Sequence, residues 1–180
     1  MLQIKVPASE KYDESKNEFI YTKETTLKLE HSLLSISKWE AKWNVPFLDN
    51  REKSREEMID YIRCMTLNSN VNDDVYYGLS AENHDAITKY INSPMTATTF
   101  NDMNKGTGSY EVVTSELIYY WMVAHGIPFE CEKWHIQRLL TLIRICGAKN
   151  SSPKQMSRRA ILEQNKALNS ARRARLHSRG

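Results

Sequence analysis

Cys131 and His135 stand four residues apart, so a helix through them would place a thiol and an imidazole on one face, with His125 close by in sequence. That is the strongest metal-ligand spacing in the chain, and it supplies two ligands where zinc takes four, or three and a water. Cys146 would sit about 16 Å further along the same helix axis, out of reach of the pair. Core packing therefore accounts for these residues better than a metal does, and neither metal nor cofactor is expected. Nucleophilic chemistry fares no better. The chain has no Gly-x-Ser-x-Gly, no glycine-rich phosphate loop and no His-Glu-x-x-His. Lys105-Gly106-Thr107-Gly108 has the flavour of a phosphate loop without its leading glycine, and reads as a turn. Cys64 and Cys131 lie near acids rather than a base, which argues against an activated thiolate. Glu56, Glu57, Asp73, Asp74, Glu130 and Glu132 fall where helix N-termini favour negative charge. No nucleophile, base and orienting group come together in the pattern, so an enzyme is not expected.

The elements that would position any site follow from hydrophobic period. Leu2, Ile4 and Val6, then Leu27 and Leu29, alternate with polar residues and predict a β-hairpin arm over residues 1–30. The polar stretch from Ser9 to Asn17 reads as its loop, with Phe19-Ile20-Tyr21 extending the second arm. From Ser32 the step changes to three or four: Leu33, Ile36, Trp39 and Trp43 share a helical face, which Pro46 ends. Ser54-Arg55-Glu56-Glu57 has capping-box spacing and opens a helix carrying Met58, Ile59, Ile62 and Met65. A third helix is expected from near Ser80 to Pro94, and a loop or short extended segment over residues 95–108. Thr114 caps a helix through Glu116, Leu117, Ile118, Tyr120, Trp121 and Val123 that Gly126 terminates. After the short linker Ile127-Pro128-Phe129, a helix from Glu130 to Cys146, stopped by Gly147, should pack back antiparallel as the central core helix. Tyr119, Tyr120, Trp121 and Trp134 would then be mostly core. Ser152-Pro153 opens a final amphipathic helix with a thin apolar stripe among arginines, which needs a partner surface to stay ordered.

The fold class is thus mainly α: a helical domain over residues 31–150, with the small N-terminal β-hairpin and a basic C-terminal helix over 151–180. Of 180 residues, 41% are hydrophobic and 26% charged, an ordinary globular composition. No apolar run nears the roughly 20 residues of a bilayer span, and the start lacks a secretory leader's apolar core, so no membrane is expected. The three cysteines are well separated and odd in number, which fits reduced thiols in a cytoplasm. Charge is unevenly spread. Residues 151–180 hold eight Lys/Arg against Glu163 alone, a net +7; the rest hold 17 basic and 21 acidic residues, a net −4. The tail includes Arg158, Arg159, Arg172, Arg173 and Arg175. It fits nucleic acid, an acidic partner or the body itself, although it has no aromatic residue for stacking bases.

The segments HSLLSISKWEAKWNVPFL, EEMIDYIRCMTL, NSPMTATTF, SELIYYWMVAHGIPFECEKWHIQRLLTLIRICGAKN and SRRAILEQNKALNSARRARLHSRG together resemble tail-module proteins of long-tailed bacteriophages, most of all the tail assembly chaperones. The likeness runs from His31 onward; the hairpin is an addition to it. It implies a non-enzymatic chaperone in the host cytoplasm that binds helical segments of the tape-measure protein while tail tube subunits assemble. Copies could self-associate along such an elongated client and gain avidity. Trp39, Trp43, Met58, Ile62 and Met65, on amphipathic helices taken to be peripheral, are then the client-groove candidates, and the basic tail a second contact. The alternatives are a structural subunit of the tail, baseplate or connector, found in the virion, and a nucleic-acid-binding regulator using the tail.

Overall fold

Pro7 sets the character of the N-terminal arm. The computed structural model describes residues 1–13, 17–99, 112–150 and 158–176. In it β1 (Leu2–Val6) pairs antiparallel with β4 (Thr25–Leu29), and β2 (Ser9–Asp13) with β3 (Glu18–Thr22). Leu2 faces Leu29, Val6 faces Thr25, Ser9 faces Thr22 and Asp13 faces Glu18. Both halves keep one register, so they form a single ribbon interrupted where Pro7 has no N–H to donate. The expected loop over Ser9–Asn17 is thereby corrected: Ser9–Asp13 is paired strand, extending the hairpin beyond its apolar part. Ile4, Val6, Leu27 and Leu29 are buried. The segment after the second helix covers the β4 edge, with Leu67 N–H donating to Lys28 O (2.8 Å) and Asn68 bonding Lys28 N and Thr26 O.

Seven α-helices lie among the described residues: α1 (Leu33–Trp43), α2 (Arg55–Met65), α3 (Asp74–Tyr77), α4 (Ala81–Ile91), α5 (Ser115–Ala124), α6 (Ile136–Asn150) and α7 (Arg158–Leu176). Their starts are chemical. Ser32 and Ser54 close reciprocal capping boxes, and the hydroxyls of Ser80 and Thr114 accept from Asn83 N and Leu117 N. Asn44 ends α1 in the left-handed region at φ 55°, and Gly126 follows α5 at φ 64°.

The hub is α1, which packs against α2, α5 and a 3₁₀ turn over Phe129–Lys133. This corrects the expectation of a central helix from Glu130 to Cys146. Residues 129–133 form the 3₁₀ turn, α6 begins at Ile136, and its buried residues Ile136, Leu139 and Ile143 line one face. Gly147 does not stop α6, which continues to Asn150; one glycine costs a helix only about 1 kcal/mol. The described residues group into two units, Met1–Cys146 and Gly147–Gly180. Within the second, α7 runs 19 residues. Ser152-Pro153 and most of the segment 95–108 lie outside the described residues.

Candidate interaction surfaces

The residues with chemical potential are drawn into structure. Cys131 sits in the 3₁₀ turn and His135 in the extended step before α6, so the four-residue spacing is not an α-helical face. His135 instead meets His31: their rings lie edge to face with centroids 5.0 Å apart, and Ile136 N donates to His31 O at 2.8 Å. Gln137 N–H donates to His135 Nδ1 (3.3 Å), leaving Nε2–H to donate to Tyr90 O (3.1 Å), so His135 fits its neutral tautomer. His31 Nδ1 hydrogen-bonds the Tyr61 hydroxyl. Only 2% of His31 is exposed, and burial, with repulsion from His135, pushes its pKa down to about 3. His135 is lowered too, chiefly by burial. Among the described residues no set of three or more His, Cys, Asp or Glu is placed to hold a metal ion.

The carboxylates are likewise engaged. Glu57 closes the α2 capping box and takes a bidentate contact from Arg51 (2.6 and 3.2 Å), which with the Ser54 N–H holds its pKa down to about 2. Buried Glu40 accepts from Phe47 N and Ser115 N, both at 2.8 Å, tying α1 to the loop after it and to the start of α5. Asp60 takes Lys42 Nζ at 2.5 Å and Trp43 Nε1 at 2.9 Å. Burial pushes the Cys64 thiol up to about 11, with Asp60 nearby adding to the shift.

The groove expected from Trp39, Trp43, Met58, Ile62 and Met65 is not a groove. Trp39, Ile62 and Met65 are fully buried, while Trp43 and Met58 are half-buried. Trp39 Nε1 donates to Glu57 O at 2.9 Å, and its ring stacks near Trp43 (6.1 Å) and against the edge of Phe47 (5.2 Å). The apolar faces of α1 and α2 thus cover each other. A client helix could reach Trp39, Ile62 or Met65 only by prising the core apart.

Three other surfaces stand in solvent. On the distal ribbon, Tyr12 and Phe19 are cross-strand partners with rings 5.0 Å apart, and Tyr21 continues the row 6.4 Å from Phe19. All three are exposed, Tyr21 by 69%. The ribbon face that is buried at Ile4, Val6 and Leu27 is the one carrying these rings, so across Pro7-Ala8 it passes from core to solvent. On α5, Glu116, Tyr120 and Val123 follow at steps of four and three and share one exposed face, with Tyr120 65% exposed. This corrects the expectation of a core Tyr120; Tyr119, Trp121 and Trp134 are half-buried. Tyr119 links this face to the 3₁₀ turn, its ring 6.3 Å from exposed Phe129 and its hydroxyl donating to Glu132 at 2.8 Å. The third surface is α7. Arg158, Arg159, Arg172, Arg173 and Arg175 are all exposed there, and the ion pair Arg159–Glu163 within it is a loose 3.6 Å.

No family model, curated protein or solved structure matches the chain. No helix among the described residues is long and apolar enough to cross a membrane. One signal in the sequence does point to the α5 surface. Glu116 is the only charged residue in Ser115–Ala124, and a helix apolar all round must be either wholly enclosed or presenting an apolar face to something else.

Proposed function

We propose that the chain is a non-enzymatic assembly factor of a long-tailed phage, a tail assembly chaperone that holds a helical client in the host cytoplasm by surface contact. The observation that carries the reading is the row Tyr12, Phe19 and Tyr21: three touching aromatic rings in solvent on a two-stranded ribbon. Contiguous exposed apolar patches on a folded domain mark contact sites for other macromolecules, and aromatic rings bring large area with few rotatable bonds. The client surface thus moves from the α1–α2 face to the distal ribbon, with basic α7 as a second arm. The resemblance supplies the client, the tape-measure protein, and the tail tube protein as the neighbouring partner. The engagement of Glu40, Glu57, Asp60, His31 and His135 in structural hydrogen bonds supports a protein without chemistry of its own.

Coexpression with a tape-measure segment tests this. The wild-type chain should keep the segment in the soluble fraction, and the triple variant Tyr12→Ser, Phe19→Ser, Tyr21→Ser should lose that effect while keeping the thermal melt of the body. Equal precipitation with and without the chain would refute it. Mass spectrometry of purified particles separates the chaperone from a structural tail subunit, because only the latter persists at stoichiometric level.

A further inference from the structure

We propose that the α5 face binds helix α7 of a second copy of this chain, so that copies associate head to tail. The face has a greasy centre and acidic ends. Tyr120 and Val123 stand out from α5 and Phe129 from the 3₁₀ turn, with exposed Glu116 at the start of the stripe and exposed Glu130 beside Phe129. At the Glu116 end an open cleft of about 360 Å³ continues the surface between Asn44, Pro46 and Thr114. Helix α7 offers apolar and cationic side chains together on one face. Leu168, Arg172 and Arg175 recur at steps of four and three, so one face carries an apolar side chain followed by two cations, all exposed. Glu116 to Val123 and Leu168 to Arg175 each span seven residue steps, about 10 Å of helix axis, so the two stripes match in length.

Charge selects the occupant. The chain is net −4 over residues 1–150 and net +7 beyond, so the cation-rich helix that this acidic, apolar face calls for is present in every copy. A helix as exposed as α7 gains order by laying its apolar residues on such a surface. The contact is heterologous, a different patch on each partner, so it propagates into chains or rings rather than closing at a symmetric dimer. It does not use the ribbon aromatics that carry the chaperone reading, although it draws on helix α7, which that reading also gives to the client as a second arm; self-association of the chain alone is measured without any client.

Sedimentation velocity of the full chain is the test. At low salt the sedimentation coefficient should climb with protein concentration beyond the dimer, and it should fall back to the monomer value in high salt, where a screening length of about 3–4 Å removes the attraction between exposed charges. Arg172→Glu with Arg175→Glu should weaken association at least tenfold, and so should Glu116→Arg with Glu130→Arg. All four residues are exposed, and circular dichroism melts check that each variant is folded. Mixing the two variants restores opposite charges across both kinds of contact and should recover association. A wild-type chain monomeric at every concentration in low salt, association indifferent to either pair of reversals, or a mixture that stays monomeric would each overturn the proposal.

Discussion

Acidification should loosen this protein well before its carboxylates protonate, and the reason lies in His31. In the unfolded chain its imidazole titrates at the ordinary value of 6.5; in the fold, burial and the neighbouring His135 hold that value near 3. Between these two pH values the unfolded chain carries a proton that the folded one does not, so stability rises with pH across the window and is lost as pH falls. The slope for one such group is about 1.4 kcal/mol per pH unit, and from pH 7.5 to 4.5 the loss amounts to about 2.7 kcal/mol. That is a large part of the roughly 5–15 kcal/mol that holds a domain of this size together. His135, lowered in the same direction, steepens the effect. The other groups around the pair are the Tyr61 and Tyr90 hydroxyls, Glu30 and the N-terminal amine, which pairs with Glu30 at 2.8 Å. Glu57, held near 2, loses its stabilising charge only below about pH 4.5, so it does not contribute to the change from pH 7.5 to 4.5.

Urea unfolding followed by tryptophan fluorescence at half-unit steps from pH 7.5 to 4.5 measures this slope. His31→Asn keeps a hydrogen-bonding atom near the position of Nδ1 but cannot titrate. The variant will be less stable at pH 7.5, because the ring packing against Phe47, Tyr61 and His135 is lost. Its stability should nevertheless fall about 1.4 kcal/mol less per pH unit than that of the wild type. Parallel pH profiles for the two proteins would refute the reasoning, because the acid sensitivity would then belong to some other group.

Glu40→Ala strips the acceptor from two buried backbone N–H groups, those of Phe47 and Ser115, and should cost about 2–5 kcal/mol in urea unfolding at pH 7; a loss under 1 kcal/mol would show that water replaces the carboxylate. Cys64, with its thiol pushed up to about 11, should react with iodoacetamide at pH 7.5 much more slowly than an unshifted cysteine peptide, and a rate matching the peptide would contradict the burial. A stop codon after Asn150 should leave the melting temperature of the remainder within about 2 °C of the full chain, because among the described residues every buried apolar residue of the core lies at or before Ile143; a marked drop would place part of the core's support in the tail.

What could be read in advance was what is local. Ser54 and Glu57 are three residues apart and make their capping box without help from the rest of the chain, as do Thr114 with Leu117 N and Gly126 at the end of α5. The mainly helical class and the proximal ribbon followed from period alone. The distal ribbon did not, because Ser-Glu-Lys-Tyr-Asp over Ser9–Asp13 has no apolar alternation to read; its pairing is carried outward from β1 and β4, whose register it shares. The His31–His135 contact spans 104 positions and has no signature in either neighbourhood. Gly147 reads as a stop, yet α6 runs through it to Asn150, because the intrinsic penalty of one glycine is small.

The misplaced client groove shows where such reading fails in principle. Periodicity reports that a helix has an apolar face, and it is silent on what covers that face. Helices α1 and α2 each carry an apolar stripe, and taken singly each looks like an open groove; they cover one another, and Trp39 Nε1 bonding Glu57 O fastens the pair. Helix α5 errs the other way, since its nearly uniform apolar composition reads as interior while Tyr120 and Val123 stand in solvent. Within a packed unit the supply of apolar faces has to be matched, and interaction surfaces are the remainder of that matching. Here α1 is matched by α2, α5 and the 3₁₀ turn on its several sides, while the outer face of α5 and the distal ribbon belong to the remainder. Those surfaces, rather than the residues with the strongest periodicity, are where substitutions should change what this protein binds without changing how it folds.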